Sequence, residues 1–132
     1  MMKNSAIERK ETEAGEQSYN VYLQGCPARM VLERLADKWA LLIVGLLRIG
    51  PLRFNQLRRE IEGVSQKALS QTLKKLERDG LLSRKAFPTV PVTVEYALTP
   101  LGKTLSEAVE PLARWAEENI EDVLLAQSDY DQ

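Results

Sequence analysis

Lys67, Ser70, Gln71, Lys74 and Arg78 fall on one side of the helix predicted over residues 65–78. The prediction rests on Leu69, Leu73 and Leu76, which recur at i, i+4 and i+7 and so share the opposite side, with Ala68 and Thr72 flanking them. Ser65 suits the N-cap, where its hydroxyl can satisfy a free N–H, and Gly80 suits the position just past the C-terminus. One face is built for burial. The other offers hydroxyls, amides and cations, and no carboxylate interrupts it before Glu77. Such groups can read base edges and phosphates in a DNA major groove: Gln pairs with adenine, Lys with guanine or phosphate, and Ser with several partners. An ordinary amphipathic surface helix has the same periodicity, so the segment alone does not decide between the two.

The elements that would position this helix can be read from its flanks. A shorter helix is expected over residues 53–61, burying Phe54, Leu57 and Ile61, and Glu62-Gly63-Val64 forms the turn between the pair. Helix, glycine turn, helix is the arrangement in which the second member enters the groove. After Gly80 the period changes to alternation, and residues 81–87 and 93–98 read as two strands around a proline loop, Pro88-Thr89-Val90-Pro91. This hairpin, spanning residues 82–98, is a wing, and Arg84 and Lys85 place cations on it for phosphates.

Upstream, Pro27 begins a helix at its first position, with Met30, Val31 and Leu35 as its apolar face. Residues 38–49 are apolar nearly all round and should form the buried centre. Downstream, Thr99 caps a last long helix that starts at Pro100, and Pro111 inside it predicts a kink or break. Its apolar stripe, including Leu105, Val109, Leu112, Trp115, Ile120 and Leu124, exceeds what so small a core can cover. Pairing with the same helix of another copy would bury it, and Tyr22 is a candidate for docking on the body or on a second subunit. The expected organisation is a mobile arm over residues 1–20, one domain over 21–126 and a polar tail over 127–132. The fold class is mainly α with a small β-hairpin wing.

Composition narrows the function. The 132 residues contain no histidine and a single cysteine, Cys26. Ser–His triads, Cys/His metal sites and intrachain disulfides are thereby excluded or nearly so. No convergent nucleophile–base pair or phosphate-cradling glycine loop is visible, and Gly50, Gly63, Gly80 and Gly102 each punctuate a boundary. An enzyme is not expected, nor a cofactor or metal. The formal net charge of −1 conceals an asymmetry. Residues 48–85 carry ten Lys/Arg against four acids, whereas residues 104–132 carry eight acids and one Arg. A basic middle in a near-neutral chain fits a polyanionic partner, although a solvated charged surface would look alike. The longest apolar run, residues 39–47, is far too short to span a bilayer and the N-terminus is polar, so a cytoplasmic protein without membrane contact is expected. A winged helix that binds protein through the same surface is the alternative, and the basic, amide-rich face argues against it.

The sequence resembles the HxlR-type family of bacterial winged-helix transcription regulators, which is related to the MarR type. The matching stretches are Cys26-Pro27, Asp37-Lys38-Trp39, Gly50-Pro51-Leu52-Arg53-Phe54-Asn55-Gln56-Leu57, and Ser65-Gln66-Lys67-Ala68-Leu69-Ser70-Gln71-Thr72-Leu73. They continue with Leu76-Glu77-Arg78-Asp79-Gly80-Leu81, the wing's Val90-Pro91 and Val94-Glu95-Tyr96, and Leu98-Thr99-Pro100-Leu101-Gly102. Their order and spacing over about residues 26–115 carry the resemblance. It implies a homodimer, joined through its first and last helices, that binds a pseudo-palindromic operator in double-stranded DNA as repressor or activator. By position it implies DNA contacts from Ser65, Gln66, Lys67, Ser70, Gln71 and Lys74, with Arg53 and Asn55 at the entrance of the preceding helix. Val92 and Thr93 stand where the family's wing commonly has a second proline and a basic residue, which leaves Arg84 and Lys85 as the wing's cations. Asp37 replaces the usual glycine before Lys-Trp.

Cys26 sits at a helix start, where free N–H groups and the helix dipole favour a thiolate. Several members of the family sense oxidants or electrophiles through a cysteine here. The resemblance implies Cys26 pairing with its copy in the other subunit, a mixed disulfide or alkylation, with an oxidant or a small molecule as effector. A small buried core residue is the plainer alternative.

Overall fold

The computed structural model describes the backbone of residues 10, 11 and 17–132, with side chains from residue 18 onward. Most of the arm expected over residues 1–20 lies outside that set. The chain divides into two compact units, residues 1–38 and 39–132. In the first, β1 (Lys10–Glu11) pairs antiparallel with β2 (Gln17–Ser18), Lys10 opposite Ser18. A turn follows in which Tyr22 N–H donates to Asn20 Oδ1 at 2.9 Å. Helix α1 (Pro27–Ala36) begins with proline at its first position, as expected, and its Met30, Val31 and Leu32 are exposed.

The second unit is built on α2 (Lys38–Leu47), whose Ala40, Ile43, Val44 and Leu47 lie at i, i+3, i+4 and i+7 and are all buried. The burial is one-sided: Leu42 is exposed, and the helix ends two residues before Ile49, which stands open to solvent. The expected all-round burial is therefore corrected to a single buried stripe. Next come β3 (Leu52–Arg53), α3 (Phe54–Glu60) and α4 (Gln66–Arg78). The hairpin consists of β4 (Leu82–Phe87) and β5 (Thr93–Leu98), and α5 (Pro100–Asp131) closes the chain. The strands form one antiparallel sheet in the order β3-β5-β4. Arg53 thus belongs to a third strand rather than to the helix that follows. Two residues are too few to show alternation, and their pairing with Tyr96 and Glu95 is distant in sequence.

The core joins the α2 stripe to Leu57, Ile61 and Val64, to Leu69, Leu73 and Leu76 of α4, to Leu81, Leu82, Tyr96 and Leu98, and to Val109 of α5. Each fully buried Leu or Ile contributes about 1.5–3 kcal/mol relative to exposure. Thr72 is tolerated on the buried face of α4 because its hydroxyl donates to Ala68 O at 2.8 Å.

The C-terminal end of α4 is closed by two bonds, Gly80 N–H to Glu77 O and Leu81 N–H to Leu76 O, each 3.0 Å. This is the Schellman arrangement, and it needs the left-handed Gly80 at φ +78°. Thr99 ties the same turn to α5. Its hydroxyl donates to Gly80 O (2.6 Å) and accepts from Gly102 N–H (3.0 Å), while its N–H donates to Leu81 O (3.1 Å). Gly102, expected to mark a boundary, is instead a contact residue. A Cβ there would lie 2.0 Å from Leu81 O.

Helix α5 runs unbroken through Pro111, so no break occurs. Proline removes one helical bond, to the carbonyl of Glu107, and both residues lie on an exposed turn where water can take its place. Residues 127–131, expected as a polar tail, continue the helix because no Gly or Pro stops it. Among the described residues no helix is long and apolar enough to cross a membrane.

Gly102→Ala should destabilise the chain by about 3 kcal/mol, since the added methyl meets immovable backbone. Gly45→Ala, whose Cβ would meet only Val109 Cγ1 at 3.8 Å, should be neutral or stabilising. Urea unfolding of the two variants checks the contrast, and equal effects would contradict it.

Candidate nucleic-acid interface

Helix α4 starts where its sequence says it should. Ser65 has extended backbone angles and its Oγ accepts the Ala68 N–H at 3.0 Å. With Leu69, Leu73 and Leu76 buried at 0–1% exposure, the 3.6-residue period leaves Lys67, Gln71, Lys74 and Arg78 outward. Gln66 is exposed beside them and Ser70 is half-buried. The predicted reading face is thus presented as one surface. Ser65 stands apart from it, because its hydroxyl oxygen already accepts the cap bond.

Helix α3 reaches α4 through Gly63, which has φ +91°. At its start the Arg53 N–H donates to Gln56 Oε1 at 2.9 Å. That bond engages the Gln56 amide oxygen; Asn55 beside it is exposed. Arg59, one turn after Asn55, lines the same open cleft of about 490 Å³ as Arg53 and Asn55, with Pro91, Val92 and Thr93 of the wing loop across it. Arg59 is not among the residues the sequence singles out, although Asn55 and Arg59 at i and i+4 share a helix face.

The wing cations do not form one cluster. Arg84 and Lys85 are adjacent on β4 and so point to opposite faces of the sheet. Lys85 is opposite Glu95, which in turn is opposite Arg53 across β5, and the row alternates in sign. The Lys85 ammonium also lies 5.1 Å from the Phe87 ring centroid. Arg84 shares its face with Tyr96, its direct partner on β5.

The pairing candidates also divide. Val109 is buried at 3% exposure in the core of its own chain, and Leu105 packs against that core. Val109 thus faces its own chain's core, and Leu105 does so in part. Leu112, Trp115, Ile120 and Leu124, further along, are exposed, and so is Tyr22. Cys26 is the N-cap residue of α1, a free and half-buried thiol whose side chain makes no cap bond. Arg29, one turn on, pairs with Glu33 at 3.9 Å. Among the described residues no group of three or more His, Cys, Asp or Glu could hold a metal ion.

A helix-turn-helix with a wing therefore stands behind the basic, amide-bearing face. The model of the HxlR-like helix-turn-helix family matches residues 34–123. The chain belongs to that family. Among its HxlR-like relatives, the HTH-type transcriptional regulator YtfH of Escherichia coli (strain K12) is 50% identical over 105 residues, covering 80% of this chain and 83% of the relative. The solved structure of the regulator ytfH from Salmonella typhimurium superposes with a TM-score of 0.78 at 46% identity, covering 83% of this chain and 97% of that one. The redox regulator HypR, solved in its oxidised form, superposes with a TM-score of 0.67 at 35% identity, covering 71% and 97%. The HxlR-like family and these relatives are transcriptional regulators and not enzymes.

Proposed function

We propose that the protein is a homodimeric, sequence-specific DNA-binding transcription regulator that places α4 in the major groove and the wing beside the backbone. The observation that carries this reading is the division of α4 itself. A capped helix buries its leucines completely and turns Lys67, Gln71, Lys74 and Arg78 to solvent. Membership of the HxlR-like family supports it. On this reading Gln66, Ser70 and Gln71 read bases, while Lys67, Lys74, Arg53, Arg84 and Lys85 hold phosphates and Ser65 and Asn55 contact the backbone near the helix starts.

The second subunit is inferred from α5. Beyond Val109 its apolar residues Leu112, Trp115, Ile120 and Leu124 have no core to enter, and a two-fold partner with the same stripe would cover them. Two such subunits would set their α4 helices one DNA turn apart, about 34–36 Å. Control through Cys26 is the third part of the reading. Its support is the free thiol at the start of α1 and the likeness to a redox regulator solved in an oxidised form. Oxidation would join Cys26 to its copy or to a low-molecular-weight thiol; an electrophile would alkylate it.

Three measurements test these parts separately. Lys74→Ala should weaken binding to every duplex and flatten the salt slope by about 1, whereas Gln71→Ala should relax one base position at a cost of about 1–3 kcal/mol. Equal loss on every operator variant for Gln71→Ala would remove that residue from base reading. Trp115→Glu should turn a dimer into a monomer in light scattering, and a wild-type monomer at micromolar concentration would refute the pairing. Diamide should alter the footprint of the wild type on the DNA upstream of its own gene but not that of Cys26→Ser. An unchanged footprint with Cys26 fully modified would end the thiol reading.

A further inference from the structure

A second hollow, of about 270 Å³, lies where the end of α2 and the chain leading into β3 meet α3. Its apolar lining is aliphatic: Leu46, Ile49, Pro51 and Leu52, with no aromatic ring among them. Leu46 and Leu52 are half-buried, whereas Ile49 is 89% exposed. The polar side comes from α3, which contributes Gln56, Arg59 and Glu60. Arg59 and Glu60 are exposed and form no ion pair with a described residue, nor with each other. Gln56 has given its amide oxygen to the Arg53 N–H and keeps its NH₂ to donate. Gly50 lines the same hollow, and nothing in its own surroundings calls for glycine. Its φ is not positive, and a Cβ built on it would meet no atom within 4 Å beyond its chain neighbours. Where Gly102 admits a neighbouring backbone, Gly50 leaves open space at an aliphatic surface.

We propose that this hollow binds a small zwitterion with a branched aliphatic side chain, a free amino acid of the leucine kind, its carboxylate on Arg59 and its ammonium on Glu60. The lining selects the class. An apolar carboxylate would pair with Arg59 but be repelled by Glu60, and an apolar amine would meet the reverse. A neutral apolar molecule would leave both charges unpaired at its edge. A zwitterion answers both while its side chain covers Leu46, Ile49 and Leu52. Arg59 suits the carboxylate end in particular, because its planar fork matches two oxygens. The absence of an aromatic wall gives a ring no stacking partner, which favours the aliphatic side chain. The hollow also falls just short of the range of about 300–1,000 Å³ common for drug-sized ligands, and an amino acid is correspondingly smaller. The site does not rest on the DNA-binding reading and needs no duplex to be tested.

The test is a chemical-shift titration of the isotope-labelled full chain with leucine and three of its analogues. Leucine should give saturable shifts centred on residues 46–60, with half-saturation on the order of 1 mM, as an open site with two solvent-screened ion pairs allows. Isocaproate lacks the ammonium and isoamylamine the carboxylate. Each should bind about fivefold more weakly, from the loss of one exposed ion pair and repulsion by the charge left behind. Glu60→Gln should remove the preference for leucine over isocaproate, a change that a merely structural role for Glu60 would not produce. Arg59→Gln should weaken leucine about fivefold, and Gly50→Leu, whose side chain would occupy the hollow, should abolish its shifts. Arg59 and Glu60 are exposed, and matching thermal melts verify folding of all three variants. Isocaproate or isoamylamine binding the wild type as tightly as leucine would overturn the zwitterion class. Equal binding of N-acetyl-leucinamide, which carries neither charge, would assign the hollow to an apolar segment of a protein and overturn it as well. Undiminished leucine shifts in a folded Gly50→Leu would put the binding elsewhere, and no saturable shift with leucine in the wild type would refute the site outright.

Discussion

Three elements meet at one turn: α4 ends at Arg78 and is closed by Gly80, the wing begins at Leu82, and α5 begins at Pro100. What holds them together is the contact of Thr99 and Gly102 with the Gly80 and Leu81 carbonyls. A single hydroxyl gives its proton to one element and accepts one from another. The absence of a side chain at Gly102 allows α5 to lie against the backbone of Leu81. The end of α4, the start of the wing and the start of α5 therefore meet within a few residues, and movement there would displace the polar face of α4 and the exposed stripe of α5 together.

Against that fixed turn, α4 is positioned by burial rather than by its polar residues. Leu69, Leu73 and Leu76 lock its rotation about its own axis, since a turn of one residue would expose a leucine and bury a lysine. The outward direction of Lys67, Gln71, Lys74 and Arg78 is the consequence. On the proposed reading, affinity and specificity would come from different atoms, cations acting on any duplex and amides on particular base edges.

Local signals were legible in the sequence, and long-range ones were not. The limits of α4 could be read because a serine cap, a leucine period and a C-terminal glycine act within their own turn. The hairpin could be read because alternation is local too. The pairing of Leu52 and Arg53 with Tyr96 and Glu95 could not, being two residues long and forty apart in sequence. Gly102 looked like punctuation because its reason for being glycine is the Leu81 carbonyl, which only the fold brings near. Buried Val109 and exposed Leu112 lie on one apolar stripe, and a stripe in sequence does not say where the core stops along a long helix. No local pattern brings Arg59 to the cleft it lines, since the facing loop arrives from over thirty residues downstream.

The central claim is that α4 lies in the major groove with a second copy one helical repeat away. Methylation interference at guanine N7, which is exposed only in the major groove, tests it most directly on the DNA upstream of the protein's own gene. The account predicts two clusters of interfering guanines, centred about 10 base pairs apart or a multiple of that. Binding that N7 methylation leaves untouched throughout the protected region, or one cluster without a symmetry mate, would contradict it.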